Sequence, residues 1–149
     1  MFNQEPKNYN CPFCRMIKSG LQTEKDFVFE NKTVFVCIAL HQHENSGPGL
    51  LVIPKQHVEN IYDIEDSLLA EISKVTKFIA IKMRELFDIQ GITIWQHNEK
   101  AGFQDVWHFH THIKGRLSDD NIYQTKQYEM CEAERSKLAE QLKEYIQNS

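Results

Sequence analysis

The strongest constraint on the fold is one apolar stripe. Leu68, Leu69, Ile72, Val75, Ile79, Met83 and Leu86 recur at spacings of three and four, the period of a single helix face. The stripe predicts a long helix from Asp63 to Asp88, with Gly91 beyond its end. A helix with one oily face must bury it against something, and the rest of the chain offers mainly short strand-like segments. Phe27–Glu30 and Thr33–Leu40 read as a hairpin joined at Asn31-Lys32. Leu50–Pro54 is a short apolar run suited to a strand buried on both faces. Ile92–Gln96 and Val106–Ile113 read as two more strands. The segments His41–Gly49, with its Ser46-Gly47-Pro48-Gly49 turn chemistry, and His97–Gly102 read as polar loops. A short helix from Arg15 to Ser19 stops at Gly20, and Met130–Gln147 forms a second helix with Leu138, Leu142 and Ile146 as a thin stripe. The sum is an α+β fold: a mostly antiparallel sheet with a long helix packed on it, plus a C-terminal helix.

A chain of 149 residues suits one domain, 1–149. With 41% hydrophobic and 26% charged residues it has material for a core without disulfides. A formal charge of -4 argues against a nucleic-acid polymer as partner, since a phosphate backbone needs a basic face. A small anion remains possible, because a pocket can be positive in a mildly acidic protein. Met1–Asn10 has no apolar signal core, and no run approaches the ~20 apolar residues of a membrane helix. The expected location is cytoplasmic, where cysteines stay reduced. Cys37 and Cys131 read as isolated buried thiols, whereas Cys11 and Cys14 form a Cys-x-x-Cys pair.

His108, His110 and His112 follow the period of a strand, which puts all three on one face, with Phe109, Ile113 and Thr111 toward the core. Two chemistries use such a face. Imidazoles can bind a metal for hydrolysis. Alternatively, one neutral imidazole attacks through one ring nitrogen while a hydrogen bond fixes the proton on the other. The Cys11/Cys14 pair can supply two thiolates to a tetrahedral zinc ion or be a reduced pair without a metal. A redox role has less support, because no strand precedes the pair.

The segment His108-Phe109-His110-Thr111-His112-Ile113 resembles the His-x-His-x-His signature of the histidine triad family of nucleotide hydrolases and transferases. Leu51-Val52-Ile53-Pro54-Lys55-Gln56-His57, Asn98-Glu99, Gln104-Asp105-Val106 and Cys11-Pro12-Phe13-Cys14 are similar to further family segments, in the same order. The likeness runs from about residue 11 to 116, leaving 117–149 as a helical extension.

The resemblance implies that His110 is the nucleophile, taking a nucleoside monophosphate as a covalent phosphoramidate. It implies that His112 contacts the α-phosphate, that the His108 carbonyl orients His110, and that Asn98 and Gln104 bond phosphate or leaving-group oxygens. Asp105 stands where some members have a small hydroxyl residue, and the ribose contact falls near His41. The resemblance further implies structural zinc on Cys11, Cys14 and His108, and a homodimer. Members often supply a turn histidine as the remaining ligand. This turn reads Gly47-Pro48-Gly49, leaving His41, His43 and His57 as substitutes. The activity implied is phosphoramidate or dinucleoside polyphosphate hydrolysis, or nucleotidyl transfer. The alternatives are a nucleotide-binding regulatory module with little turnover and a metal-dependent hydrolase using the histidines.

Overall fold

The computed structural model describes residues 2–149. An extended N-terminal arm leads into α1 (Pro12–Ser19). This helix starts at Pro12 rather than Arg15. Proline suits a first helical position, where its missing N–H would be unpaired anyway, and the Cys11 side chain accepts from the Cys14 N–H. Gly20 adopts φ 99° and donates its N–H to the Met16 carbonyl, which ends the helix.

The chain then forms β1 (Phe27–Glu30), β2 (Val34–Ile38), β3 (His41–His43), β4 (Gly49–Pro54), α2 (Asp66–Leu86), β5 (Gly91–Gln96), β6 (Thr111–Arg116), β7 (Gln127–Glu129) and α3 (Glu132–Gln147). Five strands make one sheet in the order β1-β2-β4-β6-β5. Every neighbouring pair is antiparallel.

The strand period sorts β2 between two cores. Val34, Val36 and Ile38 join Leu50, Val52, Phe109 and Ile113 against the stripe of α2, with Ala139 and Leu142 of α3. Phe35 and Cys37 join Ile53, Cys11, Phe13 and Leu21 on the α1 side. The fold is α+β, with the long helix laid on an antiparallel sheet. No helix among the described residues is long and apolar enough to cross a membrane.

Several expected boundaries move. The long helix begins after Glu65 and ends before an extended Phe87, shorter at both ends than the stripe suggests. The polar segment after residue 40 is not all loop: β3 pairs antiparallel with β7 as a separate ribbon. Between these features Gln42, buried to 1% exposure, holds the turn together. Its amide donates to the Ala39 and Gly49 carbonyls and accepts from the Gly49 N–H and Lys114 Nζ. Cys131 is exposed rather than buried, at the N-cap of α3.

Candidate active site and metal centre

The histidine segment joins the sheet later than its alternation suggests. Ladder pairing begins at Thr111, not Val106, and continues to Arg116. Upstream, the His108 N–H donates to the Val106 carbonyl at 2.8 Å, a tight turn, and the Phe109 N–H donates to Val58. Phe109 is buried in the core under α2. His108 and His110 gather on the other side, against the edge of Phe13, with ring centroids 5.5 and 5.4 Å from it.

His110 is 3% exposed. Its Nδ1 lies 2.7 Å from the His108 carbonyl oxygen, which can only accept, so the proton sits on Nδ1 and the lone pair on Nε2. Burial lowers the pKa of His110, opposed by that hydrogen bond and by the Asp105 carboxylate. The resting ring is therefore a neutral imidazole with Nε2 available. His112 lies beside it, ring centroids 4.9 Å apart, and is stacked on Trp95 at 5.7 Å and 26°. Burial, then the neighbouring His110 and His97, push His112 far below the usual imidazole range. Its Nε2 is buried without a hydrogen-bond partner among the described residues. A buried polar atom without a partner costs stability, and here it sits next to the nucleophile candidate.

A second cluster shares His108. The Cys11 and Cys14 thiols and the His57 and His108 imidazoles offer ligand atoms that all lie within 4.8 Å of one another. Cys11 Sγ is 3.3 Å from His108 Nδ1, and Cys14 Sγ is 3.3 Å from His57 Nδ1 and 3.7 Å from His108 Nδ1. A tetrahedral zinc with ordinary Zn–S and Zn–N bonds would separate its ligand atoms by about 3.5 Å, so the donor set fits.

The outer nitrogens also fit. His108 Nε2 donates to the Pro54 carbonyl at 2.9 Å and His57 Nε2 to the Glu5 carboxylate at 2.7 Å, which turns both Nδ1 lone pairs inward. Burial pushes His108 down to about 4, keeping it neutral. Burial and the adjoining Cys11 push the Cys14 thiol up to about 11. A dication between the sulfurs would reverse that shift, since thiolates ligate it.

Asn98 accepts from the Ile61 N–H and donates to Gln96. Gln104 is buried. Its amide accepts from the Glu99 N–H and donates to the Glu59 and Val106 carbonyls. Asn98 and Gln104 thus shape the 97–104 loop. Asp105 is solvent-exposed. His41 is exposed on β3, across from Glu129, and His43 bonds Gln127. Of the three substitute ligands only His57 joins the cysteines.

Sequence reasoning passed over His97, whose ring lies 5.2 Å from that of His112. Trp95 precedes it by two, and strand alternation continued one step past Gln96 would have put both on the His112 face. Glu5, in an arm without periodicity, gave no such signal.

The HIT domain family model matches residues 21–119. Protein hit of Bacillus subtilis is 35% identical over 105 residues, covering 70% of this chain and 69% of that one. An adenosine 5'-monophosphoramidase of Saccharomyces cerevisiae is 30% identical over 103 residues, 69% of this chain and 60% of that one. The crystal structure of a Zn-bound histidine triad family protein from Mycobacterium smegmatis superposes with TM-score 0.74 at 22% identity, covering 94% of this chain and 98% of that one. With the imidazole row and the sheet topology in place, these matches settle the family: the chain belongs to the histidine triad, or HIT domain, family.

Proposed function

We propose that the chain hydrolyses or transfers a nucleoside monophosphate from a substrate X–NMP through a covalent nucleotide on His110. One observation carries this reading: the His110 Nδ1 proton is committed to the His108 carbonyl, and the partnerless Nε2 of His112 lies alongside. The His110 Nε2 lone pair attacks the α-phosphorus, the P–X bond breaks with its electron pair on X, and water later cleaves the N–P bond. His112 meets the charge that builds on the phosphoryl oxygens. The yeast relative named as an adenosine 5'-monophosphoramidase supports an X–NMP substrate. The mild charge of -4 favours a small nucleotide over a polymer.

Cys11, Cys14, His57 and His108 would hold a zinc ion. Four protein ligands close such a site, so the ion would supply a structural cross-link between the α1 region and the histidine segment. A homodimer fits the sheet edge at β5, where Ile94 is 52% exposed. A cytoplasmic setting fits paired thiols held ready for a metal.

The test is brief mixing with adenosine 5'-phosphoramidate, quenching without acid, and peptide mass mapping. One nucleotide on the His110 peptide is expected, absent from His110→Ala. A label on another residue, or wild-type turnover by His110→Ala, would refute the reading.

A further inference from the structure

His97 is the one imidazole at the site to which neither the cluster nor the nucleophile assigns a task. Its backbone is fixed. It follows the last ladder pair of β5, Gln96 opposite Thr111. Its carbonyl accepts from Gln96 Nε2 at 2.6 Å, and the next side chain, Asn98, bonds both Ile61 and Gln96. The ring lies 5.2 Å from the His112 ring, which lies 4.9 Å from the His110 ring. The ring of Phe103, 81% exposed, lies 6.5 Å from that of His97. His97 thus extends the row of neighbouring rings His110–His112–His97.

Four other histidines around the site are engaged. His108 and His57 face the thiols, His110 Nδ1 meets a carbonyl, and His43 bonds Gln127. The His97 ring has no hydrogen-bond partner among the described residues. Competing groups are poorly suited. Lys114 is tied to Gln42, and Asp105 is a solvent-exposed carboxylate. Lys100 is exposed on the far part of the loop, its N–H held by Gln4.

We infer that His97 is the proton shuttle for the leaving group, which fits the site to leaving groups that depart poorly as anions, alkylamines above all. The inference rests on the nucleotidyl-transfer reading. As the bond from His110 Nε2 to phosphorus forms, the P–N bond of the substrate breaks. Its electron pair stays on the amine nitrogen, which takes the proton of His97. The neutral His97 then removes a proton from the incoming water. The hydroxyl oxygen bonds phosphorus, the electron pair of the N–P bond returns to His110, and His97 regains the proton it gave.

Two substrates of matched nucleotide separate this role from a positional one. Adenosine 5'-phosphoramidate of an alkylamine needs a proton on its leaving nitrogen, whereas the p-nitrophenyl ester of AMP releases a stable anion. With His97→Asn and His97→Gln, kcat/KM for the alkylamine substrate should fall by about 10²- to 10⁴-fold, and for the ester by less than about 10-fold. The ester should also give a nitrophenolate burst approaching one per chain, because the nucleotide on His110 now waits for its water. Equal losses on both substrates in both variants, or an undiminished rate on the alkylamine, would overturn the assignment to His97 and leave His110 standing. Failure of the wild-type chain to label His110 with either substrate would overturn the nucleotidyl reading and this inference together.

Discussion

The His108 carbonyl oxygen lies 2.7 Å from Nδ1 of His110, while the His108 ring faces the Cys11 sulfur at 3.3 Å. One residue thus belongs to two sites, through its backbone to the nucleophile and through its ring to the cysteine cluster. Replacing Cys11 and Cys14 together with Ser should lower zinc content from about one per chain to near zero. Thermal stability should fall with it, because the metal binds only the folded chain. The kcat for nucleotidyl transfer should also drop, since His108 is freed to move and carries the His110 proton acceptor with it. Metal analysis, a thermal melt and steady-state rates check all three. A wild-type chain without zinc, or a double variant of unchanged melting temperature, would break the link.

Glu5 makes a narrower prediction. Its carboxylate accepts from His57 Nε2 at 2.7 Å, and its N–H donates to Glu59 at 3.2 Å. The arm is thereby pinned over the cluster. Glu5→Gln keeps the shape but weakens the polarising contact, so zinc affinity should fall by about 10- to 100-fold. Competition with a chromophoric chelator measures this directly. Equal affinity in both proteins would show that the contact merely fastens the arm.

The alternation of His108, His110 and His112 was legible because a strand has a fixed period, and the α2 stripe was legible for the same reason. The join to the sheet was not. The tight turn at His108 depends on the Val106 carbonyl and on Phe109 meeting Val58, contacts made across the fold. Sequence proximity offered His41, His43 and His57 equally as ligands. Only the path from β4 to α2 brings His57 to the thiols, while β3 carries the other two into a ribbon with β7. Gln42 shows the same limit. A glutamine in a polar stretch looks solvated, yet here its amide satisfies the backbone of the turn beneath it.

Acid should destabilise the fold. Burial is the leading cause of the lowered pKa at His108, His110 and His112. In the unfolded chain each ring takes a proton near pH 6.5. Below that pH the unfolded state binds more protons than the folded one, so unfolding free energy falls as pH falls. Each histidine contributes a slope of up to about 1.4 kcal/mol per pH unit. The share of His108 ends near its folded value of about 4, and that of His112 extends further. Protons also compete with zinc for His108 and His57, in the same direction. Denaturant midpoints at constant zinc should therefore drop between pH 7.5 and 5. A flat profile would mean that the three rings accept protons within the intact fold.

His112 should show stability and activity pulling apart. Its Nε2 is buried with no partner among the described residues, a penalty of roughly 1–3 kcal/mol. Its ring also stacks on Trp95, a contact worth about 0.5–1.5 kcal/mol. His112→Leu removes the unpaired atom, keeps an apolar side chain opposite Leu51 and Trp95, and loses only the stacking. Urea unfolding should show stability unchanged or raised. The same variant should transfer nucleotide about 10²- to 10³-fold more slowly, because nothing remains to meet the charge on the phosphoryl oxygens. The covalent label on His110 should still form, only later. A variant that loses about 2 kcal/mol or more would show that the His112 nitrogen is already satisfied in the resting protein, by water for instance. In that case the partnerless nitrogen would cease to be evidence for a phosphate beside His110.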